Sequence, residues 1–203
     1  AGTGPDLMQI DAAPARMGLL ANAGLLLALD DYYSKLNWKF ADWTMRLVTY
    51  GGKKYGIPLE VDLIGVNYNK KMTSKLGLAE PKTYEEYIAW LKKIKDSGTI
   101  PLTWGTNGCC QHGHFYAHYV EAAAGRQVVE NLLYGNGKWT EPGFVKAAEE
   151  MLRLVKEGYV NSDPNALKDA EARQLMWSGK AAATITGNWV TGTIVKEHAA
   201  NID

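Results

Sequence analysis

The residues with the most reactive side chains lie together in one short stretch, 107 to 118, which reads NGCCQHGHFYAH. Cysteine thiolate and histidine imidazole are ligands that zinc prefers, and histidines four residues apart share one face of a helix. A metal site is therefore one hypothesis here. Against it, the stretch has no Cys-x-x-Cys pair, so a polar loop in which one histidine contacts a ligand is favoured. The candidate residues are Cys109, Cys110, His112, His114 and His118.

Two carboxylates, Glu60 and Asp62, interrupt an apolar run, LEVDLIGV. Side chains two residues apart on a strand point to the same side, and buried carboxylates need partners. The pair therefore lies on a solvent-facing edge or beside a ligand. Glycosidases hold the scissile bond between two carboxylates, whereas these two project from one side. The sequence also has no Gly-x-Ser-x-Gly elbow, P-loop or dinucleotide-binding glycine motif, and it predicts a protein that is not an enzyme.

The composition narrows the class of partner. Among 203 residues, 22 are basic and 22 acidic, so the formal net charge is zero. Proteins that bind nucleic acids or anionic membranes usually carry a basic excess, which argues against both partners. Seven Trp and eleven Tyr stand against three Phe, and aromatic rings with a polar atom suit wet apolar surfaces such as sugar sites. We expect no membrane span and no signal peptide in the chain.

Strands and helices alternate along the predicted elements. Asp6 to Ile10, the segment after Pro58, TIPLTW and KAAATITG read as strands. Helices are expected over AEPKTYEEYIAWLKKIKDSG, where Thr83 and Glu86 match a capping box, over HGHFYAHYVEAAAG, over EPGFVKAAEEMLRLVKEG and over DAEARQLMWSG. This order favours the α/β class with a mostly parallel sheet.

The succession AGTGPDLMQID, LDDYY, GGKKYGIP, VNYNKKM, PKTYEEY, LKKIKDSGTIPLTWG, PGFVKAAEEMLRLVKEGYVN and DAEARQLMWSGKAAATITGNW resembles one family over nearly the whole chain. The family is the extracellular solute-binding proteins of carbohydrate ABC transporters, of the maltose-binding-like type. The resemblance implies a type II periplasmic-binding-protein-like α/β fold, with two lobes and a sugar in the cleft between them.

The resemblance also implies a division of the chain. Residues 1–62 would form part of lobe one, 63–183 lobe two, and 184–203 the return crossover toward lobe one. Members of the family are about twice as long, so we expect a partial chain that lacks the first strand and helix of lobe one and the segments after residue 203. The strand after YGIP would be the first crossover, which puts Glu60 and Asp62 near the cleft, where they could accept hydrogen bonds from sugar hydroxyls.

Sugar sites stack rings on aromatic faces and bind hydroxyls with planar polar groups. Trp104, at the end of a strand, is a candidate stacking surface, with core packing as the alternative. Trp189 matches the return-crossover motif of the family, where a ligand-facing aromatic residue is common. The other candidates are Asp11, Asn107, His112 and Asn188, and Trp90, Trp139 and Trp177 are interpreted as structural.

Cys109 and Cys110 could form a vicinal disulfide in the oxidising compartment that the resemblance implies. Adjacent Cα atoms lie about 3.8 Å apart, closer than disulfides prefer, so the ring would be strained. It would offer a flat apolar surface beside Trp104; the alternative is two free or buried thiols.

We therefore expect a non-catalytic receptor of an ABC importer, without a cofactor, that closes its lobes on a sugar and delivers it to the permease subunits. It would be periplasmic or extracellular, anchored at the cell surface by a lipid outside this chain or free in the periplasm. Two alternatives stay open: a metal-binding protein that uses residues 109–118, and a structural fragment that binds nothing.

Overall fold

A computed structural model describes residues 4–108 and 111–198. The chain divides into two compact units, Ala1–Val61 and Asp62–Asp203, called here the N-terminal and C-terminal units. The α-helices are α1 (Leu19–Asn22), α2 (Asp30–Lys35), α3 (Asp42–Val48), α4 (Lys70–Lys75), α5 (Tyr84–Asp96), α6 (Gln111–Ala124), α7 (Arg126–Tyr134), α8 (Pro142–Lys156), α9 (Asp169–Trp177) and α10 (Thr191–Thr193). The strands are β1 (Thr49–Tyr50), β2 (Lys53–Lys54), β3 (Ile64–Tyr68), β4 (Ile100–Thr103) and β5 (Ala181–Gly187). Pro14–Gly18 and Ile194–His198 are π-helical, and Asn188–Val190 is a 3-10 turn.

The N-terminal unit is built around the hairpin of β1 and β2. Its two-residue turn needs left-handed backbone at both positions, and Gly51 and Gly52 supply it with φ of 55° and 78°. The hydroxyl of Tyr33, on α2, donates to the carbonyl of Gly56 at 2.8 Å. The predicted strand Asp6 to Ile10 does not form. A strand needs a hydrogen-bonding neighbour, and β1 and β2 pair only with each other in the described part of this unit.

The C-terminal unit contains a three-stranded sheet in the order β3-β5-β4. β4 runs parallel to β5, but β3 runs antiparallel to it, so the predicted mostly parallel sheet is in fact mixed. All seven residues of β5 are buried, because this strand lies between the other two and is covered by helices α6 and α9. Small side chains at Ala181, Ala182 and Ala183 allow that close cover.

Helices α5, α6 and α8 enclose the main core of this unit. Its fully buried side chains include Leu91, Ile94, Leu102, Phe115, Phe144 and Leu154. A second cluster joins α9 to the start of β5 through Met176, Trp177 and Ala181. None of the helices in the described residues is long and apolar enough to cross a bilayer.

Local signals explain how the helices begin and end. Thr83 caps α5 by accepting from the N–H of Glu86 at 3.1 Å. The Glu86 carboxylate accepts from the N–H of Lys82 instead of that of Thr83, so only half of the predicted capping box forms. Gly98, Gly125 and Gly158 follow α5, α6 and α8 with positive φ, as predicted from their positions.

Candidate functional site

Three chain segments meet at one edge of the C-terminal sheet. The parallel strands β4 and β5 both end there, and the antiparallel strand β3 begins there. The chain leaves β4 at residue 104, leaves β5 at residue 188 and enters β3 from residues 62–63. We call residues 62–63, 104–107 and 188–189 the carboxyl edge. Open α/β sheets bind their ligands at such edges, because loops from several strands converge there.

Asn188 is fixed to the start of β3 by two hydrogen bonds. Its side-chain oxygen accepts from the N–H of Leu63 at 2.8 Å, and its own N–H donates to the carbonyl of Leu63 at 3.1 Å. These bonds extend the β3–β5 ladder by one residue pair and bring exposed Asp62 next to the turn after β5. Asn188 itself is exposed. Two polar side chains predicted as ligand-binding are thus neighbours on this edge.

Trp189 presents an indole ring at the surface beside Asn188. The residue is 43% exposed, and its ring centroid lies 5.3 Å from that of His114 on α6. The ring lies over Gly187, where an added Cβ would come within 1.9 Å of a ring carbon. Only glycine therefore permits this position of the ring. The arrangement offers a partly fixed aromatic face, which suits stacking against a sugar ring.

Trp104 has different surroundings from Trp189. It is 7% exposed, and its ring stacks on Phe115 with centroids 4.9 Å apart. Its backbone N–H donates to the side-chain oxygen of Asn161 at 2.7 Å. Within the described residues its indole N–H has no hydrogen-bond partner. Trp104 is therefore packed in the core, which is the alternative to a role as a stacking surface.

The loop after β4 is held by a buried glutamine that was not predicted from the sequence. Gln111 is 1% exposed, and its oxygen accepts from the N–H of Gly105 at 2.7 Å. Its amide nitrogen donates to the hydroxyl of Thr184 at 3.0 Å. Farther along the loop, exposed Asn107 donates from its backbone N–H to the carbonyl of Leu167 at 2.9 Å. No local pattern marks Gln111, because its partners lie on other elements.

The three histidines of residues 107–118 have different surroundings on α6. His112 is exposed in the first turn, His114 contacts Trp189, and His118 is exposed and lines a separate cavity. Cys109 and Cys110 lie outside the described residues. Among the residues that the structure describes, no group of three or more His, Cys, Asp or Glu side chains is placed to hold a metal ion.

The two remaining candidates belong to the N-terminal unit. Asp11 is exposed and forms an ion pair with Arg16, with Oδ2 and Nη1 2.9 Å apart. Glu60 is exposed and accepts from the side-chain amide of Gln9 at 2.5 Å. The expectation that Glu60 and Asp62 share one side of a strand is wrong, since residues 55–63 are irregular and β3 begins at Ile64. Among the described residues, no strand pairs with this segment before Ile64.

A cavity of about 550 Å³ lies beside the half of β3 that is farther from the carboxyl edge. Val66 and Tyr68 line it from β3, and the other walls come from α5 with the residues before it and from α6. Tyr84 donates a hydrogen bond to Glu150, and the hydroxyls of Tyr87 and Tyr119 lie 3.4 Å apart. Burial raises the pKa of both Tyr87 and Tyr119, because a phenolate would lose its hydration there. This cavity was not predicted from the sequence.

The comparisons with known proteins agree on one family. The family model described as "Bacterial extracellular solute-binding protein" matches residues 1–202. An uncharacterized ABC transporter extracellular-binding protein of Pyrococcus horikoshii is 32% identical over 72% of this chain and 35% of its own length. The maltotriose-binding protein of Pyrococcus abyssi is 27% identical over 96% of this chain and 40% of its own length.

Solved structures give the same result for the fold. A chitin oligosaccharide binding protein superposes with a TM-score of 0.80 and 26% identity, covering 92% of this chain and 47% of that protein. This chain therefore spans less than half the length of the relatives described here. The family and the type II periplasmic-binding-protein fold predicted from the sequence are confirmed. The chain belongs to the bacterial extracellular solute-binding protein family.

Proposed function

We propose that this chain is part of the substrate-binding receptor of an ABC importer, and that the carboxyl edge of its C-terminal unit binds a sugar or oligosaccharide. The observation that carries the proposal is the exposed Trp189 ring beside Asn188, at the edge where two parallel strands end. An aromatic face next to planar polar groups is the arrangement that sugars require, because their rings have apolar faces and polar rims.

Polar side chains around Trp189 would bind the sugar hydroxyls. Asp62 and Asn188 are exposed on the same edge, and Asn107 and His112 are exposed where the chain passes from β4 into α6. Asp11 and Glu60 are further candidates from the N-terminal unit. Cys109 and Cys110 would add an apolar surface if they form a vicinal disulfide. Trp104 is the weakest of the ten candidates, because little of its ring is exposed.

The names of relatives support a carbohydrate ligand. Proteins similar to this chain are named for maltotriose and for chitin oligosaccharide. We infer that the receptor is extracellular or periplasmic, that its partners are the permease subunits of a transporter, and that it performs no catalysis. A lipid anchor outside this chain is part of the same proposal. We also propose that the chain divides into part of lobe one (1–62), lobe two (63–183) and a return crossover (184–203). The lobes would close on the ligand.

The test is a thermal-shift and calorimetry panel of mono- and oligosaccharides, including maltotriose and chitin oligosaccharides, with zinc and EDTA in parallel. A ligand that binds the folded state raises the melting temperature by mass action. We expect one sugar class to raise the melting temperature. Trp189→Ala should weaken binding of that class by about tenfold or more, because the sugar ring loses its stacking face. Trp139→Ala, at a tryptophan 64% exposed in the loop before α8, is the matched control and should bind normally.

Three results would contradict the proposal. A flat response to every sugar would favour a fragment that binds nothing. A shift with zinc alone, abolished by EDTA, would favour the metal-binding alternative through residues 109–118. Equal losses in Trp189→Ala and Trp139→Ala would move the sugar away from the carboxyl edge.

A further inference from the structure

The backbone is fixed on both sides of Trp189. Gly187 is the last residue of β5 and pairs with β3, and Asn188 bonds to Leu63 through both its backbone and its side chain. On the other side, Val190 is 4% exposed and belongs to the second core cluster. The main chain therefore leaves Trp189 little freedom, and the two torsion angles of its side chain decide where the ring lies.

Two neighbours restrict those torsion angles. Gly187 lies against the six-membered part of the indole, since the ring atoms nearest to an added Cβ are Cζ3, Cε3 and Cη2. The ring of His114 lies beside the indole, with centroids 5.3 Å apart and 56° between the planes. Aromatic pairs prefer such inclined contacts to a face-to-face sandwich. In the described part of the chain, His114 is the one aromatic residue in ring contact with Trp189.

His114 is itself held in place by its neighbours on α6. It lies between Gln111 and Phe115, which are 1% and 0% exposed. Gln111 bonds to β5 and Phe115 stacks on Trp104, so this part of α6 cannot shift without breaking buried contacts. His114 is half-buried. It therefore gives the Trp189 ring a fixed surface to rest against.

We infer that His114 is a positioning residue of the sugar site, which holds the Trp189 indole in the orientation that stacks on a sugar. The inference rests on the proposed function and adds a residue to that site. His114 acts through Trp189 and needs no contact with the sugar. Without it, a half-exposed indole would sample several rotamers, and binding would have to select one of them at a cost in affinity. His114 thus pre-organises the aromatic face.

The experiment compares three substitutions of His114 with the wild type. His114→Ala removes the ring and favours the helix, so the fold should be retained, and thermal melts verify this. His114→Phe keeps an aromatic ring, whereas His114→Asn keeps a polar side chain without a ring. The matched control is His118→Ala, because His118 is exposed and lies one turn farther along α6.

The first readout is the fluorescence of Trp189, obtained as the difference between each variant and the same variant carrying Trp189→Phe. We expect this component to be quenched more by acrylamide, and to emit at longer wavelength, in His114→Ala and His114→Asn. The physical reason is that an indole that has left the histidine meets more water. His114→Phe and His118→Ala should stay close to the wild type.

The second readout is calorimetric affinity for the sugar that binds the wild type. His114→Ala and His114→Asn should weaken it by about twofold to tenfold, the range that one aromatic pair contributes. His114→Phe should restore most of the affinity. In a Trp189→Ala background, His114→Ala should cause no further loss, because the two residues act as one unit.

Unchanged quenching of Trp189 in His114→Ala would overturn the inference. So would an affinity loss that persists in the Trp189→Ala background, or an equal loss in His118→Ala. Rescue by His114→Asn would also overturn it, since a polar contact and not the ring would then be responsible. If no sugar binds the wild type, the proposed function fails, while the fluorescence comparison still decides whether His114 positions the ring.

Discussion

The side-chain nitrogen of Gln111 donates a hydrogen bond of 3.0 Å to the hydroxyl of Thr184, which joins the first turn of α6 to the centre of β5. The Thr184 hydroxyl in turn donates to the carbonyl of Thr103 on β4, at 3.1 Å. All three residues are almost completely buried. Gln111 therefore ties a helix and two strands together beneath the carboxyl edge, and it also fixes the loop that begins at Gly105.

Gln111→Leu should lower the free energy of unfolding by about 2–3 kcal/mol, because it leaves the buried N–H of Gly105 and other polar groups without partners. Urea denaturation followed by circular dichroism measures the change. Gln127→Leu is the control: Gln127 is exposed and its side chain donates along its own helix to Asn131. A loss below about 0.5 kcal/mol in Gln111→Leu would show that the buried network contributes little.

Gly105→Ala should destabilise the C-terminal unit by about 1–3 kcal/mol, because an added methyl group in a packed region forces the backbone to shift. A Cβ at this position would lie 2.6 Å from the carbonyl oxygen of Lys168, which is backbone and cannot rotate away. Gly113→Ala, within α6, has open space and should be neutral or stabilising by up to about 1 kcal/mol. In thermal melts, the melting temperature should fall in Gly105→Ala and should stay unchanged or rise in Gly113→Ala.

Gly187→Ala should weaken sugar binding about tenfold, the loss expected when a stacking ring is displaced. The added Cβ would overlap the Trp189 ring, so the ring has to leave its position over residue 187. Calorimetry measures the affinity, and tryptophan fluorescence reports the change around the indole. In a Trp189→Ala background the same Gly187→Ala change should cost no further affinity. An additive loss would mean that Gly187 acts on binding by another route.

Two tyrosines should make stability depend on pH in the alkaline range. Burial raises the pKa of Tyr87 and Tyr119 above the value of 10.0 for a free phenol. The folded state therefore holds these protons more tightly than the unfolded state, so their contribution is complete below pH 10 and is lost as pH rises above it. We expect the unfolding free energy of the wild type to fall more steeply above pH 10 than that of Y87F/Y119F, measured by urea titration at each pH. Parallel curves would contradict this assignment.

Helix boundaries were predictable because their signals are local. Thr83 caps the helix that follows it, and Gly98 and Gly158 allow the left-handed turn that ends a helix, whatever the rest of the chain does. The short helix α7 was not predicted, and it contains no buried residue. Gly135 follows its last residue, but no Ser, Thr, Asp or Asn caps its start, where Gly125 makes no side-chain cap.

The sheet was less predictable, because its pairing is not local. The direction of β3 depends on β5, and Asn67 on β3 bonds to a residue 119 positions away, Thr186. The apolar run that begins before Asp62 reads as one strand, but only the part opposite β5 becomes one. At the candidate site, Asn188 and Trp189 were predicted as ligand-binding candidates from their motif. Gln111 and Gly187 were not, since their roles exist only after α6, β5 and the turn at residue 188 have come together.

Among the described strands of the C-terminal sheet, the central strand β5 is also the last to be synthesised. β3 and β4 are not neighbours in the sheet of the described residues, so their common neighbour is absent until residues 181–187 have left the ribosome. A nascent chain that stops short of this point has not yet joined β3 and β4 through their common neighbour, although Leu102 of β4 can already pair with Val160. Because pairing over such separations is slow, we expect the arrival of β5 to be the step that completes this sheet.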